Sequence, residues 1–96
     1  MTNYNFGDVV LVWFIQTGSS ERKKRPALVI LDINDADVVL VPITTREWTG
    51  IGDHKIKDWK ISGLLRESWV RLAKISFLEK KDVESCLGKL TILKQI

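Results

Sequence analysis

The stretch "ERKKRPALVI", residues 21–30, places Arg22, Lys23, Lys24 and Arg25 directly ahead of Pro26 and an apolar run. Side chains of this kind bind phosphate oxygens, and a planar, permanently charged guanidinium is suited to the negative charge that grows on a phosphoryl group during transfer. Glu21 to Arg25 carries a net charge of +3, equal to that of the whole 96-residue chain, so the remainder is neutral. A basic excess confined to one segment is the arrangement expected for a polyanion partner, the plain alternative being a solvated basic loop. Pro26 restricts Arg25 to extended backbone and so aims its side chain repeatably.

The other polar candidates are Thr44, Thr45, Arg66 and Ser68, which fall where strands stop, the usual place for a site on a small β scaffold. Residue counts exclude several chemistries. The single histidine, His54, rules out a two-histidine ribonuclease, and together with the single cysteine, Cys86, it cannot build a structural zinc site. There is no signal for a nucleophilic triad, a Gly-rich phosphate loop or a pair of catalytic carboxylates. Asp32, Asn34, Asp35 and Asp37 read as turn formers rather than metal ligands. No metal or cofactor is therefore expected.

These candidates need a rigid scaffold, and 96 residues make a single domain, 1–96, with a small core. "VVLVWFI" after Gly7-Asp8 is β-branched and aromatic throughout, which predicts a strand. Val10, Val12 and Phe14 point one way and Val9, Leu11, Trp13 and Ile15 the other, so both faces need cover: a barrel interior on one side, a helix or second subunit on the other. "QTGSS" reads as a loop, "ALVILD" as a strand opening at Pro26, and "DVVLVPITT" as a third strand. "HKIKDWKI" and "WVRLAKIS" read as further short strands. Val83, Cys86, Leu87, Leu90 and Leu93 recur at helical spacing, which predicts an amphipathic helix from about Lys80 to Ile96. The fold class expected is mostly β with some α (α+β): a small twisted barrel with a C-terminal amphipathic helix packed on it.

Trp48 has the least apolar surroundings of the four tryptophans and is the candidate for stacking on a base, whereas Trp13, Trp59 and Trp69 read as core or interface. His54 reads as an exposed loop residue, and an ion pair with Glu67 or Asp58 is the structural alternative for Arg66. One cysteine permits no internal disulfide and suits a reducing, cytoplasmic setting. "MTNYNFGD" has no charged n-region or apolar h-region, and the longest apolar run, Val9 to Ile15, is too short to cross a bilayer, so no membrane partner is expected.

"GDVVLVWF", "RKKRPALVI", "VVLVPITT", "GLLRESWVRLAKI" and "LGKL", in that order, resemble the MazF/PemK family of bacterial toxins from toxin–antitoxin pairs. The resemblance implies an SH3-like barrel of the MazF–CcdB type, a homodimer, a cognate protein antitoxin as partner, and an endoribonuclease that cleaves single-stranded RNA, including mRNA, without a metal. It places the family's principal catalytic arginine on Arg25, its strand-end hydroxyl on Thr44 and the second arginine of PemK-type members on Arg66. Arg22, Lys23 and Lys24 would then hold flanking phosphates, with Thr45, Trp48 and Ser68 as further RNA contacts. Where such members can carry an aspartate base two residues after that second arginine, this chain has Ser68, and "QTGSS" lacks their loop histidine, so the resemblance assigns no general base. Two other readings stay open: a non-catalytic RNA- or peptide-binding module on the same barrel, and a CcdB-like toxin directed at a DNA topoisomerase.

Overall fold

The computed structural model describes residues 3–15, 18, 20–47 and 49–90. Seven strands make up nearly all of its regular structure: β1 (Asp8–Ile15), β2 (Arg22–Leu31), β3 (Asp37–Thr44), β4 (Asp53–Lys55), β5 (Trp69–Arg71), β6 (Ser76–Glu79) and β7 (Val83–Lys89). Every pairing is antiparallel. The hydrogen-bonded path runs β4-β5-β3-β2-β1-β7, with β6 joined to β3 off the path. The expected closed barrel is therefore not formed among the described residues, because nothing pairs the β4 end with the β7 end. Instead β3 is shared: its first half pairs with β6 and its last two residues with β5.

The predicted C-terminal helix is absent from the described residues; a 3-10 turn at Lys80–Asp82 leads into β7, and residues 91–96 lie outside them. Register explains the misreading. Val10 pairs with Cys86 but Val9 with Gly88, and Leu11 pairs with Ser85 but Val12 with Val83, so Leu87 and Glu84 are bulged out of the ladder. Two bulges break the two-residue alternation and leave an apolar spacing that mimics a helix. The tertiary demand is simple: β1 is buried, and its edge away from β2 would hold unpaired N–H and C=O groups without β7.

Two further boundaries differ from expectation. β2 begins at Arg22 rather than at Pro26, because Ile15 to Val12 of β1 provide pairing partners for Arg22 to Arg25. The segment read as one strand in "WVRLAKIS" is two, β5 and β6, separated by a 3-10 turn at Leu72–Lys74.

Both faces of the sheet carry a core. Val10, Val12, Ala27, Val29, Val38 and Leu40 pack on one face, flanked by Phe14 and Leu78. Val9, Leu28, Val41, Ile43, Ile56, Leu64, Val70 and Leu90 pack on the other, with Trp59 and Leu87 against them. The second face of β1 is thus covered at Val9 by the chain's own 56–64 segment and not by a helix. That segment approaches β7 very closely. A Cβ on Gly63, which lies in the left-handed region at φ +87, would collide with the backbone of Leu87, and one on Gly88 with the backbone of Ser62.

The turn between β2 and β3 is tied to the start of β7 by a buried ion pair. Lys80 Nζ lies 2.8 Å from Asp32 Oδ1, both side chains being inaccessible. The Tyr4 and Asn34 amides also donate to the Asp32 carboxylate, at 2.7 and 2.8 Å. The Lys80 hydrogen bond, then that from Tyr4, hold Asp32 down at about 2 against the wider pull of burial.

Two outcomes follow from this packing. Gly88→Ala should lower the free energy of unfolding by about 1–3 kcal/mol, as overpacking does, seen as a reduced urea midpoint at unchanged slope. Because the folded-state pKa of Asp32 is depressed from 3.8 to about 2, its contribution to stability is fully present above pH 4 and lost as pH falls through about 2. Stability measured between pH 5 and 2 should therefore fall less steeply with acid in Asp32→Asn than in the parent protein, within roughly the range a single linked carboxylate allows.

Candidate functional site

The β2–β3 ladder runs from Leu31–Val39 to Ala27–Pro42 and stops there. Beyond it β2 stays with β1, pairing Pro26 with Leu11 and Arg25 with Val12, while β3 turns to β5, pairing Ile43 with Val70 and Thr44 with Trp69. The two strands fork at a pair of prolines, Pro26 and Pro42, neither of which has an N–H to leave stranded. Arg25 and Thr44 each lie two residues past the last ladder pair, so strand alternation puts them on the same face, one on each prong.

Thr44 is half-buried, and its Oγ1 accepts a hydrogen bond from the Arg46 amide at 3.1 Å. That leaves the hydroxyl proton available to donate into the fork. Arg25 is exposed and makes no ion pair or hydrogen bond among the described residues. Lys23 shares its face and is likewise unengaged.

Thr45, Arg66 and Ser68 meet on the other side of the fork. With Leu11, Pro26, Gly63, Leu64, Leu65 and Leu87 they line a cavity of about 510 Å³, mostly apolar, with Pro26 in its wall beside Arg25. The Gly63–Gly88 approach sets that wall, since it brings Leu64 and Leu65 alongside Leu87. Arg66 is exposed and unpaired among the described residues: Glu67 instead lies 3.7 Å from Lys55, and Asp58 Oδ2 is buried without a hydrogen-bond partner. Ser68 is buried and its hydroxyl donates to the Arg66 carbonyl at 2.9 Å, which fixes the turn that carries Arg66. The register thus puts Arg25 and Thr44 on one face of the fork, and the pocket gathers Thr45, Arg66 and Ser68. Trp48 lies outside the described residues.

Arg22 and Lys24 project from the opposite face of β2 to Lys23 and Arg25, and they are engaged. Arg22 Nη2 meets Asp82 Oδ1 at 2.6 Å and Lys24 Nζ lies 3.6 Å from Glu84 Oε1. Both cations sit over the Trp13 ring, 5.4 and 5.1 Å from its centre, while Trp13 Nε1 donates to Glu84 Oε2 at 2.9 Å. The pocket wall at Leu11, Leu64, Leu65 and Leu87, and the acids at Asp82 and Glu84, were not among the sequence candidates. No local signal could reveal them, because Asp82 lies 60 residues from Arg22 in the chain.

Among the described residues no three His, Cys, Asp or Glu side chains are grouped so as to hold a metal ion, and no helix is long and apolar enough to cross a membrane. The site is thus a small antiparallel β scaffold with Arg25 and Lys23 unpaired, among the described residues, beside a strand fork. The sequence profile of the PemK-like, MazF-like toxins of type II toxin–antitoxin systems matches residues 5–94. The chain belongs to that family. Among solved structures it is similar to an endoribonuclease from a mycobacterial species, with TM-score 0.71 and 23% identity over 95% of this chain and 79% of that one. It is also similar to a mycobacterial endoribonuclease in complex with its cognate antitoxin, with TM-score 0.67 and 25% identity over 88% of this chain and 77% of that one. No curated protein sequence matches it.

A stability measurement checks the unpaired state of the two arginines. Arg25→Gln and Arg66→Gln should each move the unfolding free energy by no more than about 0.5 kcal/mol, as surface changes away from structural contacts do. Arg71→Gln should cost clearly more, since Arg71 Nε meets the buried Asp53 carboxylate at 3.1 Å.

Proposed function

We propose that this chain is the toxin of a type II pair and an endoribonuclease that cuts single-stranded RNA, mRNA included, without a metal. The observation that carries the reading is the unpaired Arg25 guanidinium held on one prong of the fork with the Thr44 hydroxyl on the same face of the other. In the reaction the 2′-oxygen of a ribose attacks the adjacent phosphorus as its proton is removed. The bond from phosphorus to the 5′-oxygen then breaks, leaving a 2′,3′-cyclic phosphate and a 5′-hydroxyl, the departing oxygen having taken up a proton. Charge collects on the non-bridging oxygens, where Arg25 offers two parallel donors and Thr44 a third. Arg66 approaches from the pocket side, with Thr45 beside it, and Lys23 grips a neighbouring phosphate. The hydrogen bond from Ser68 to the Arg66 carbonyl, together with its burial, argues for Ser68 as a support of Arg66 rather than as the base.

The mycobacterial neighbours described as endoribonucleases support the same reading, and the one bound to its cognate antitoxin supports a protein antitoxin as partner. An acidic antitoxin tail would be drawn by the field that draws RNA. A homodimer is proposed because Leu65 is 93% exposed and a core this small favours burying such apolar surface against a second subunit.

Incubation with a long RNA in excess EDTA should give 2′,3′-cyclic phosphate ends, and a substrate with deoxyribose at the cut position should resist. Arg25→Ala should slow cleavage by roughly 10²–10³, with Arg25→Lys recovering little of it. RNA that is bound but never cut would return the chain to the binding-module reading, and cleavage that requires added magnesium would overturn the mechanism. Sedimentation at micromolar concentration should show a dimer; monomer alone would contradict the assembly.

A further inference from the structure

The cations of the basic tract fall into two classes, and the difference lies in residues of β7 and the turn before it. Lys23 and Arg25 have no partners among the described residues, whereas Arg22 and Lys24 are met by Asp82 and Glu84 on the opposite face of β2. Glu84 is placed by both its oxygens, one accepting from Trp13 Nε1 at 2.9 Å and the other 3.6 Å from Lys24. The Trp13 ring holds both charged groups by cation–π contact. The result is a tray on which two carboxylates take the acceptor positions that phosphate oxygens would fill.

Resting on the proposed RNA-cleaving function, we infer that Asp82 and Glu84 are determinants of substrate binding that act as internal competitors. They mask Arg22 and Lys24 and confine the phosphate grip to Lys23, Arg25 and Arg66. Both pairs are partly exposed, with the Arg22 and Lys24 side chains 48% and 44% accessible, so each is a weak surface ion pair that an RNA phosphate could displace only at a cost in affinity. Unmasking the tray should therefore add phosphate contacts without touching the cleavage residues.

The test measures binding of a short fluorescent 2′-O-methyl oligoribonucleotide, which presents phosphates but no nucleophilic 2′-hydroxyl. Across a salt series, Asp82→Asn/Glu84→Gln should tighten binding and steepen the log–log salt dependence by about 1.4, two single-strand contacts at roughly 0.7 each. Between 50 and 200 mM salt the variant should then lose about sevenfold more affinity than the parent. The control is Asp35→Asn/Asp37→Asn, the same charge change in the β2–β3 turn, where neither carboxylate meets Arg22 or Lys24. An unchanged slope in the β7 variant, or an equal change in the control, overturns the inference.

Should the double change fail to fold, Glu84→Gln alone carries the test, through a cycle with Lys24→Gln. Losing the Lys24 charge should weaken binding more in the Glu84→Gln background than in the parent, and equal losses would overturn masking. A parent protein that binds the oligonucleotide but leaves RNA uncut overturns the proposed cleavage alone. One that does not bind it overturns both.

Discussion

The parting of β2 from β3 after the Ala27–Pro42 pair governs the rest of this structure, because beyond it β2 continues with β1 alone while β3 continues with β5. A sheet that splits this way leaves backbone donors without partners, and the cost is lowered where the splitting residues have no N–H. Pro26 and Pro42 occupy those positions. The same fork holds Arg25 and Thr44 on one face and opens Pro26 and Thr45 to the pocket on the other. A continuous ladder would bring the prongs to ordinary strand spacing, about 4.8 Å, and leave no room for a phosphate between them.

The fork needs a rigid backing, and the 56–64 segment provides it. Ile56 and Leu64 join the core cluster of Val9, Leu28 and Ile43, and the Gly63–Gly88 approach sets the segment against β7 with no side chain between the backbones. The bulges in β7 adjust its course along β1 while β1 keeps its hydrogen bonds. Backbone contact at van der Waals range is unforgiving of added volume, so the pocket wall and the turn carrying Arg66 inherit their position from two glycines.

Charge pairing is graded along the molecule. Lys80 is held by the inaccessible Asp32 carboxylate at the β2–β3 turn, and Arg71 by the buried Asp53 carboxylate at the start of β4. Arg22 and Lys24 have partly exposed acids within reach, and Arg25, Arg66 and Lys23 have none among the described residues. Buried pairs serve the fold, since removing one partner strands a charge in a poorly solvated place. Exposed cations without partners do little for stability and keep their full field for a ligand. The proposed chemistry sits at the unpaired end of this gradient.

Sequence alone determined the local parts of this picture. The β-branched run of β1 and the "DVVLVPIT" run of β3 were legible from residue type, as were the concentrated basic tract, the Arg25–Pro26 step and the strand-end Thr44. Family membership was legible because those blocks keep their order along nearly the whole chain. The tertiary structure alone decided what depends on partners far away in the chain. Arg22 to Arg25 became strand because β1 offered them a ladder, and the last described segment became β7, not helix, because β1 had a second edge to satisfy. Its bulges erased the alternation from which a strand is read. The division of the basic tract into paired and unpaired cations came the same way, since strand alternation sorts the faces but only folding brings Asp82 and Glu84 to one of them. Local pattern reports periodicity and chemistry, whereas hydrogen-bond demand across a sheet and close backbone approach are properties of pairs distant in sequence.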